Sequence, residues 1–191
     1  MENMLEIRWH ARGGQGAKTG AMLLARAAMK SGYEIQAFPE YGPERSGAPI
    51  TAYNRISQSP IRMHSGIDKP DAVIVLDAGL MDVVDVTAGL DEHDGLVLVN
   101  TGSDPDVVRE KLQFDKGRLA TVDADAIARK ETGHPMPNLP MLGAFIKIEK
   151  IVSLDSLIES VKEKLTAKLG SEKTRTNITG IKSAFQEVRT Q

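Results

Sequence analysis

An α/β fold is predicted: a three-layer, Rossmann-like domain with a mostly parallel sheet and a C-terminal helical extension. Three observations in the 191-residue chain predict it. Residues 5–38 read as strand, glycine-rich turn, helix and strand, the unit that favours parallel strands. Compact apolar runs then recur, of the kind that forms strands buried on both faces. Helical stripes separate these runs and continue to the end of the chain.

Leu5, Ile7 and Trp9 alternate with Glu6, Arg8 and His10, the period of a strand. Ala21, Leu24, Ala25 and Ala28 form the buried stripe of a helix over Ala17–Ser31, stopped by Gly32. Tyr33–Phe38 is the second strand. Ile50–Ser57 alternates again and is read as a strand, with Pro60–His64 as its hairpin partner. Asp71–Asp77 and Leu96–Val99 are central strands, and Leu119–Val122 is a fourth candidate. Ser103 or Asp104 is expected to cap a helix ending near Leu112. Ala124–Glu131 is a short helix. Gly133–Pro140 is a proline-rich loop leading into a buried helix over Met141–Glu149. Ser153 caps a helix with Leu154, Leu157, Ile158, Val161 and Leu165 on one stripe, ended by Gly170. In the last helix, Glu172–Val188, the apolar positions are sparse. It either packs thinly on its own domain or reaches a neighbouring subunit. Residues 1–150 therefore form the α/β domain, and 151–191 extend the same domain.

Composition narrows the function. Hydrophobic residues make up 41% of the chain, enough for a core, while aromatics are only 4%, so Ala, Val, Ile, Leu and Met must fill it. The formal net charge of −2 lacks the basic excess expected of a nucleic-acid or membrane-surface protein. With no cysteine, thiolate metal sites, cysteine-ligated iron–sulfur clusters and thiol catalysis are excluded. The first residues lack a signal-peptide pattern and no apolar run is long enough to span a bilayer, so a cytoplasmic protein is expected. The four histidines show no metal-ligand spacing, and no catalytic triad or carboxylate pair stands out.

Two loops carry the chemistry. Arg12-Gly13-Gly14-Gln15-Gly16 lies between the first strand and its helix. Backbone amides of such a turn point inward, and the helix N-terminus adds partial positive charge. Arg12 and Lys18 add formal charge; Gln15 and Thr19 add hydrogen bonds. Compared with the dinucleotide fingerprint Gly-x-Gly-x-x-Gly, Ala11 stands in place of the first glycine, which argues against NAD or FAD but not against an anion. No P-loop motif is present. The second loop, Phe38–Pro49, is stiffened by Pro39, Pro43 and Pro49 and presents Tyr41, Glu44, Arg45 and Ser46. Arg45 is its candidate phosphate or carboxylate clamp. At two further strand ends, Asn100 is a candidate for the same crevice, and Asp77 either receives a ribose or caps a turn.

Together the two loops resemble the gamma subunit of 2-oxoacid:ferredoxin oxidoreductases, closest to the pyruvate enzymes. The resemblance is carried by Arg12–Gly16, Tyr41–Pro49, Ile61-Arg62 before the strand at Asp71, Asn138–Ala144 and Asn177–Val188. Ser46 stands where such loops commonly have a second arginine. The resemblance implies coenzyme A-dependent oxidative decarboxylation of a 2-oxoacid, with electrons passed to ferredoxin. It also implies partner alpha, beta and delta (ferredoxin-like) subunits that hold the thiamine diphosphate, magnesium and iron–sulfur clusters. Coenzyme A is expected at or near this subunit, at Arg12, Gly13, Gly14, Gln15, Gly16, Thr19, Tyr41, Glu44, Arg45, Ser46 and Asn100. Contact of the second loop with the thiamine-bearing subunit is equally compatible with the residues. A stand-alone nucleotide-cofactor oxidoreductase and a non-catalytic interaction protein remain the alternative readings.

Overall fold

Alternation in the first strand decides the two faces of the sheet. In the computed structural model, which describes residues 4–40 and 47–191, β1 spans Leu5–Arg12. Its Ile7, Trp9 and Ala11 are fully buried on one face. After β1 come α1 (Ala17–Lys30), β2 (Glu34–Glu40), β3 (Pro49–Ser57) and β4 (Ala72–Val75). A short 3-10 turn (Ala78–Asp82), β5 (Leu96–Asn100), α2 (Pro105–Leu112), β6 (Arg118–Val122) and α3 (Ala124–Thr132) follow. The chain closes with α4 (Asn138–Ile148), α5 (Leu154–Leu169), α6 (Ser171–Glu187) and β7 (Arg189–Thr190).

These strands form one seven-stranded sheet in the order β2-β3-β1-β4-β5-β6-β7. β1, β4, β5 and β6 are paired in parallel at its centre. β3 runs antiparallel to both β1 and β2, and β7 antiparallel to β6. Five of the seven strands therefore share one direction. β1 and β2 are parallel, as the sequence implies, but β3 is inserted between them and splits the unit. Pro60–His64 forms no strand; β3 finds both partners in β1 and β2 instead.

Helices α1, α4, α5 and α6 cover one face, where Ile7, Trp9, Ile74, Leu98 and Val122 meet Leu24, Phe145, Leu157 and Ile181. The other face of β4–β6 is covered by the 3-10 turn, the segment after it and α2, with Val73, Val75, Val97 and Val99 against Leu80, Val86, Val108 and Phe114. The result is the three-layer arrangement, each central strand burying both sides.

Several ends differ from the sequence reading. α4 begins at Asn138, so Pro140 lies in its first turn. The amides there have no intrahelical acceptor, and a proline loses nothing by lacking one. Asp104 occupies the N-cap of α2 without capping it by side chain; its carboxylate pairs with Arg189 at 2.5 Å. Ser153 does cap α5, its Oγ accepting from the Ser156 amide at 3.1 Å. α6 packs on its own domain, and more closely than its sparse apolar stripe implies, with Ile178, Ile181 and Ala184 buried in the main core. The unforeseen β7 then returns the chain to the sheet. Among the described residues, no helix is long and apolar enough to cross a membrane.

Candidate functional site

The parallel pairing of β1 with β4 brings the Arg12 and Asp77 turns side by side at the carboxyl ends of the strands. The chain then leaves in opposite directions: α1 onto one face, the 3-10 turn onto the other. Such a switch point opens a crevice beyond the strand ends.

Glycine makes the first wall. Gly14 and Gly16 have φ of 102° and 82°, left-handed values that other residues adopt at a cost. Among the described residues, a Cβ on Gly14 would meet nothing within 4 Å. Gly16 is the N-cap of α1, which has neither a side-chain cap nor an acidic residue in its first turn. The Gly13 amide donates to the Ala48 carbonyl at 3.0 Å, which ties the turn to the start of β3, and the Gln15 amide returns to the Arg12 carbonyl at 3.1 Å. Among the described residues, the amides of Gly14, Gly16 and Ala17 donate to no protein group. Unengaged amides at the positive end of a helix are of the kind that suits an anion.

Asp77 makes the second wall. Its Oδ1 accepts from the Gly79 amide at 2.9 Å and caps the 3-10 turn. Its Oδ2 accepts from Arg12 Nε at 3.1 Å and from Gln15 Nε2 at 3.0 Å. Gln15 Oε1 accepts from the Arg12 amide at 2.7 Å, and Arg12 Nη1 donates to the Gly47 carbonyl at 3.3 Å. Of the two sequence options for Asp77, the structure shows the cap, and adds its hold on both polar side chains of the turn. The Arg12–Asp77 pair is about a third and a quarter exposed, so its worth lies in geometry more than in stability.

Asn138 closes the turn from beneath. It is 4% exposed, and its Nδ2 donates to the Gly16 carbonyl at 3.2 Å. Its Oδ1 is buried without a partner among the described residues, an acceptor that a water or a ligand N–H or O–H would satisfy. Asn100 is drawn inward: Nδ2 donates to the Leu76 carbonyl at 2.9 Å and to Asp125 Oδ2 at 3.0 Å, and Oδ1 accepts from the Asp125 amide at 3.2 Å. Burial pushes the Asp125 carboxyl above its usual range, the bond from Asn100 opposing. Thr19 is exposed on the first turn of α1, beside these amides. Tyr41, Glu44, Arg45 and Ser46 lie outside the described residues; Glu40 pairs with Thr51, and Pro49 with Arg12.

Two residues before Arg12 on β1, His10 Nε2 accepts from Arg8 Nε at 3.1 Å. Burial, helped by the Arg8 charge, pushes the imidazole down to about 4. His10 is thus neutral near pH 7 and holds Arg8, whose Nη2 donates to the Val86 carbonyl at 3.2 Å. No group of three or more metal-ligating side chains occurs among the described residues.

Residues 6–187 match the family model described as pyruvate ferredoxin/flavodoxin oxidoreductase. The chain belongs to that family. A pyruvate/ketoisovalerate oxidoreductases common subunit gamma from Thermococcus kodakarensis is 50% identical over 169 residues, covering 88% of this chain and 91% of the relative. The crystal structure of pyruvate oxidoreductase subunit PORC from Thermotoga maritima aligns with a TM-score of 0.86 at 37% identity, covering 100% of this chain and 99% of that one. A 2-oxoglutarate:ferredoxin oxidoreductase chain from Magnetococcus marinus shares the fold alone, at 18% identity and a TM-score of 0.77, with this chain spanning 31% of its length. Within the family the chain is of the gamma-subunit type, one component of a multi-subunit oxidoreductase.

Proposed function

We propose that this gamma subunit contributes the coenzyme A site of a pyruvate-class 2-oxoacid:ferredoxin oxidoreductase. The observation that carries the reading is the trio of unengaged amides at Gly14, Gly16 and Ala17, beside the Arg12 guanidinium, at the switch point of the sheet. Phosphate oxygens suit such a seat, since they accept several N–H bonds at once and are attracted by the helix end. The coenzyme A carries a pyrophosphate and a 3′-phosphate, so it presents more than one such group. Arg45, which follows Glu40 in the adjoining loop, supplies a second cation from the sequence. Alpha, beta and delta subunits would hold the thiamine diphosphate, magnesium and iron–sulfur clusters, consistent with a chain that has no cysteine. Ferredoxin would accept the electrons. The Magnetococcus relative of the fold was solved with coenzyme A and succinyl-CoA bound, which makes coenzyme A the first ligand to test.

The test is steady-state kinetics of the purified hetero-oligomer, with pyruvate as substrate and a viologen as electron acceptor. Arg12→Ala is expected to raise the KM for coenzyme A by roughly ten- to a hundredfold, the loss of one charge-assisted contact. The KM for pyruvate should stay within about twofold, because the ligand lost is not the acid. Arg45→Ala should act in the same direction. An unchanged KM for coenzyme A in both variants would count against the site.

A further inference from the structure

We infer that Asp77 is the positioning residue of this site: it sets the Arg12 guanidinium, with Gln15 as a brace, so that the Nη2 edge is left for the ligand. The inference rests on the coenzyme A reading above and adds a residue to it. Four contacts carry it. Asp77 Oδ2 accepts from Arg12 through Nε at 3.1 Å, not through the tip of the fork. Nη1 is held by the Gly47 carbonyl at 3.3 Å. Nη2 therefore remains, and among the described residues it donates to no group. It lies 3.7 Å from where a Cβ on Gly79 would sit, so the crevice edge beside it is kept clear by glycine. The same Oδ2 takes Gln15 Nε2 at 3.0 Å, while Gln15 Oε1 grips the Arg12 amide at 2.7 Å. Arg12 is thus fixed at its amide, at Nε and at Nη1, with only the Nη2 edge presented.

A carboxylate beside an anion seat acts in one of two ways. It competes with the ligand for the arginine, or it orients the arginine for the ligand. Competition would place the carboxylate on the nitrogen the ligand uses, from which the ligand has to displace it. Here it occupies Nε, leaves Nη2 unengaged among the described residues, and is itself anchored by the Gly79 amide at 2.9 Å. A ligand binding Nη2 has no need to break that bond. Orientation also lowers the entropy lost when a long side chain is immobilised on binding. Removing Asp77 should therefore weaken binding, although it removes a negative charge from the neighbourhood of phosphate.

The experiment compares Asp77→Asn, Asp77→Ser, Arg12→Ala and the double variant Arg12→Ala/Asp77→Asn in the purified hetero-oligomer. Asn and Ser each keep an oxygen that can accept from the Gly79 amide, so the 3-10 turn stays capped while the carboxylate is lost. Assembly is checked by gel filtration, and Asp77→Ser serves if Asp77→Asn fails to assemble. The expected result is a KM for coenzyme A raised about tenfold by Asp77→Asn, with kcat at saturating coenzyme A within about twofold. Asp77→Asn should add less than about twofold to Arg12→Ala, since both act through one guanidinium. Asp77→Glu should recover part of the loss. If Arg12→Ala raises the KM while Asp77→Asn leaves it unchanged or lowers it, the positioning role is overturned and the coenzyme A site stands. Fully multiplicative effects would also overturn it, because Asp77 would then act independently of Arg12. If Arg12→Ala itself changes nothing, the positioning role is overturned; the coenzyme A site fails as well only if Arg45→Ala is equally without effect.

Discussion

Replacing Arg55 by Met is expected to destabilise the protein by about 3 kcal/mol, in the range for removing one partner of a buried ion pair. Arg55 is the only fully buried arginine side chain among the described residues, at 1% exposure. Its Nε donates to Glu6 Oε1 at 2.7 Å, Nη1 to Gln36 Oε1 at 3.1 Å and to the Ser65 carbonyl at 2.9 Å, and Nη2 to the Gly66 carbonyl at 3.0 Å. One side chain thereby joins β1, β2 and β3 to the crossover that leads into β4. Met fills similar volume and keeps the contact with Phe38, whose ring centroid lies 5.7 Å from the guanidinium. It leaves one carboxylate and three further acceptors without their donor, each unmade bond costing about 1 kcal/mol or more. The Glu6 side chain is about a fifth exposed, so water recovers part of its loss and the estimate sits at the lower end of the range. Chemical denaturation of wild type and variant measures the difference, and a loss below about 1 kcal/mol would refute this account. Arg55→Lys should fall between the two, because an ammonium keeps the charge but not the planar fork.

Arg55 also shows what the sequence could and could not convey. Period-two alternation in β3 correctly separates Ala52 and Asn54 from Tyr53 and Arg55. Alternation assigns sides, but it does not say whether the outer side is covered. Here the crossover covers it, and a residue that looks solvent-facing becomes buried. The parallel centre was legible because strands buried on both faces announce themselves as short apolar runs, as at Asp71–Asp77. The insertion of β3 between β1 and β2 was not, since antiparallel pairing at such range leaves no local signature. The two-residue β7 is too short to show any period. At the site, glycines that need left-handed backbone made the turn visible. Its second wall was hidden: Asp77 lies 65 residues from Arg12, and Asn138 lies 122 residues from Gly16. Asp77 at a strand end suggested a cap or a ribose ligand, and nothing nearby in the chain pointed to Arg12.

The packing of α4 on α6 yields two glycine substitutions of opposite sign. In a helix, Gly→Ala gains about 1 kcal/mol from backbone entropy alone, and both Gly143 and Gly180 lie inside helices. At Gly143 a Cβ would sit 2.1 Å from the Ile181 carbonyl oxygen and 2.9 Å from its carbon. Both are backbone atoms of a buried helix, so no side chain can rotate away, and α4 and α6 must separate. Overpacking of this kind costs about 1–3 kcal/mol and sometimes more. With rigid backbone on both sides the high end applies, and Gly143→Ala should lose about 2 kcal/mol net despite its propensity gain. At Gly180 the nearest atoms to a new Cβ are Pro140 Cγ at 3.6 Å and Ile127 Cγ2 at 3.8 Å, ordinary contact distances. Gly180→Ala should therefore stabilise by about 0.5–1 kcal/mol. Thermal melts of the two variants decide the matter, and equal shifts of the same sign would refute it. The clash also reaches the functional site, because α4 carries Asn138 at its first position, against the Gly16 carbonyl and within the space a Gly16 side chain would need. A shift of α4 loosens the floor of the turn, so Gly143→Ala should weaken coenzyme A binding in the assembled enzyme while Gly180→Ala leaves it unchanged. Through this contact the close approach of two helices at the back of the molecule sets the floor of the Gly16 turn at its front.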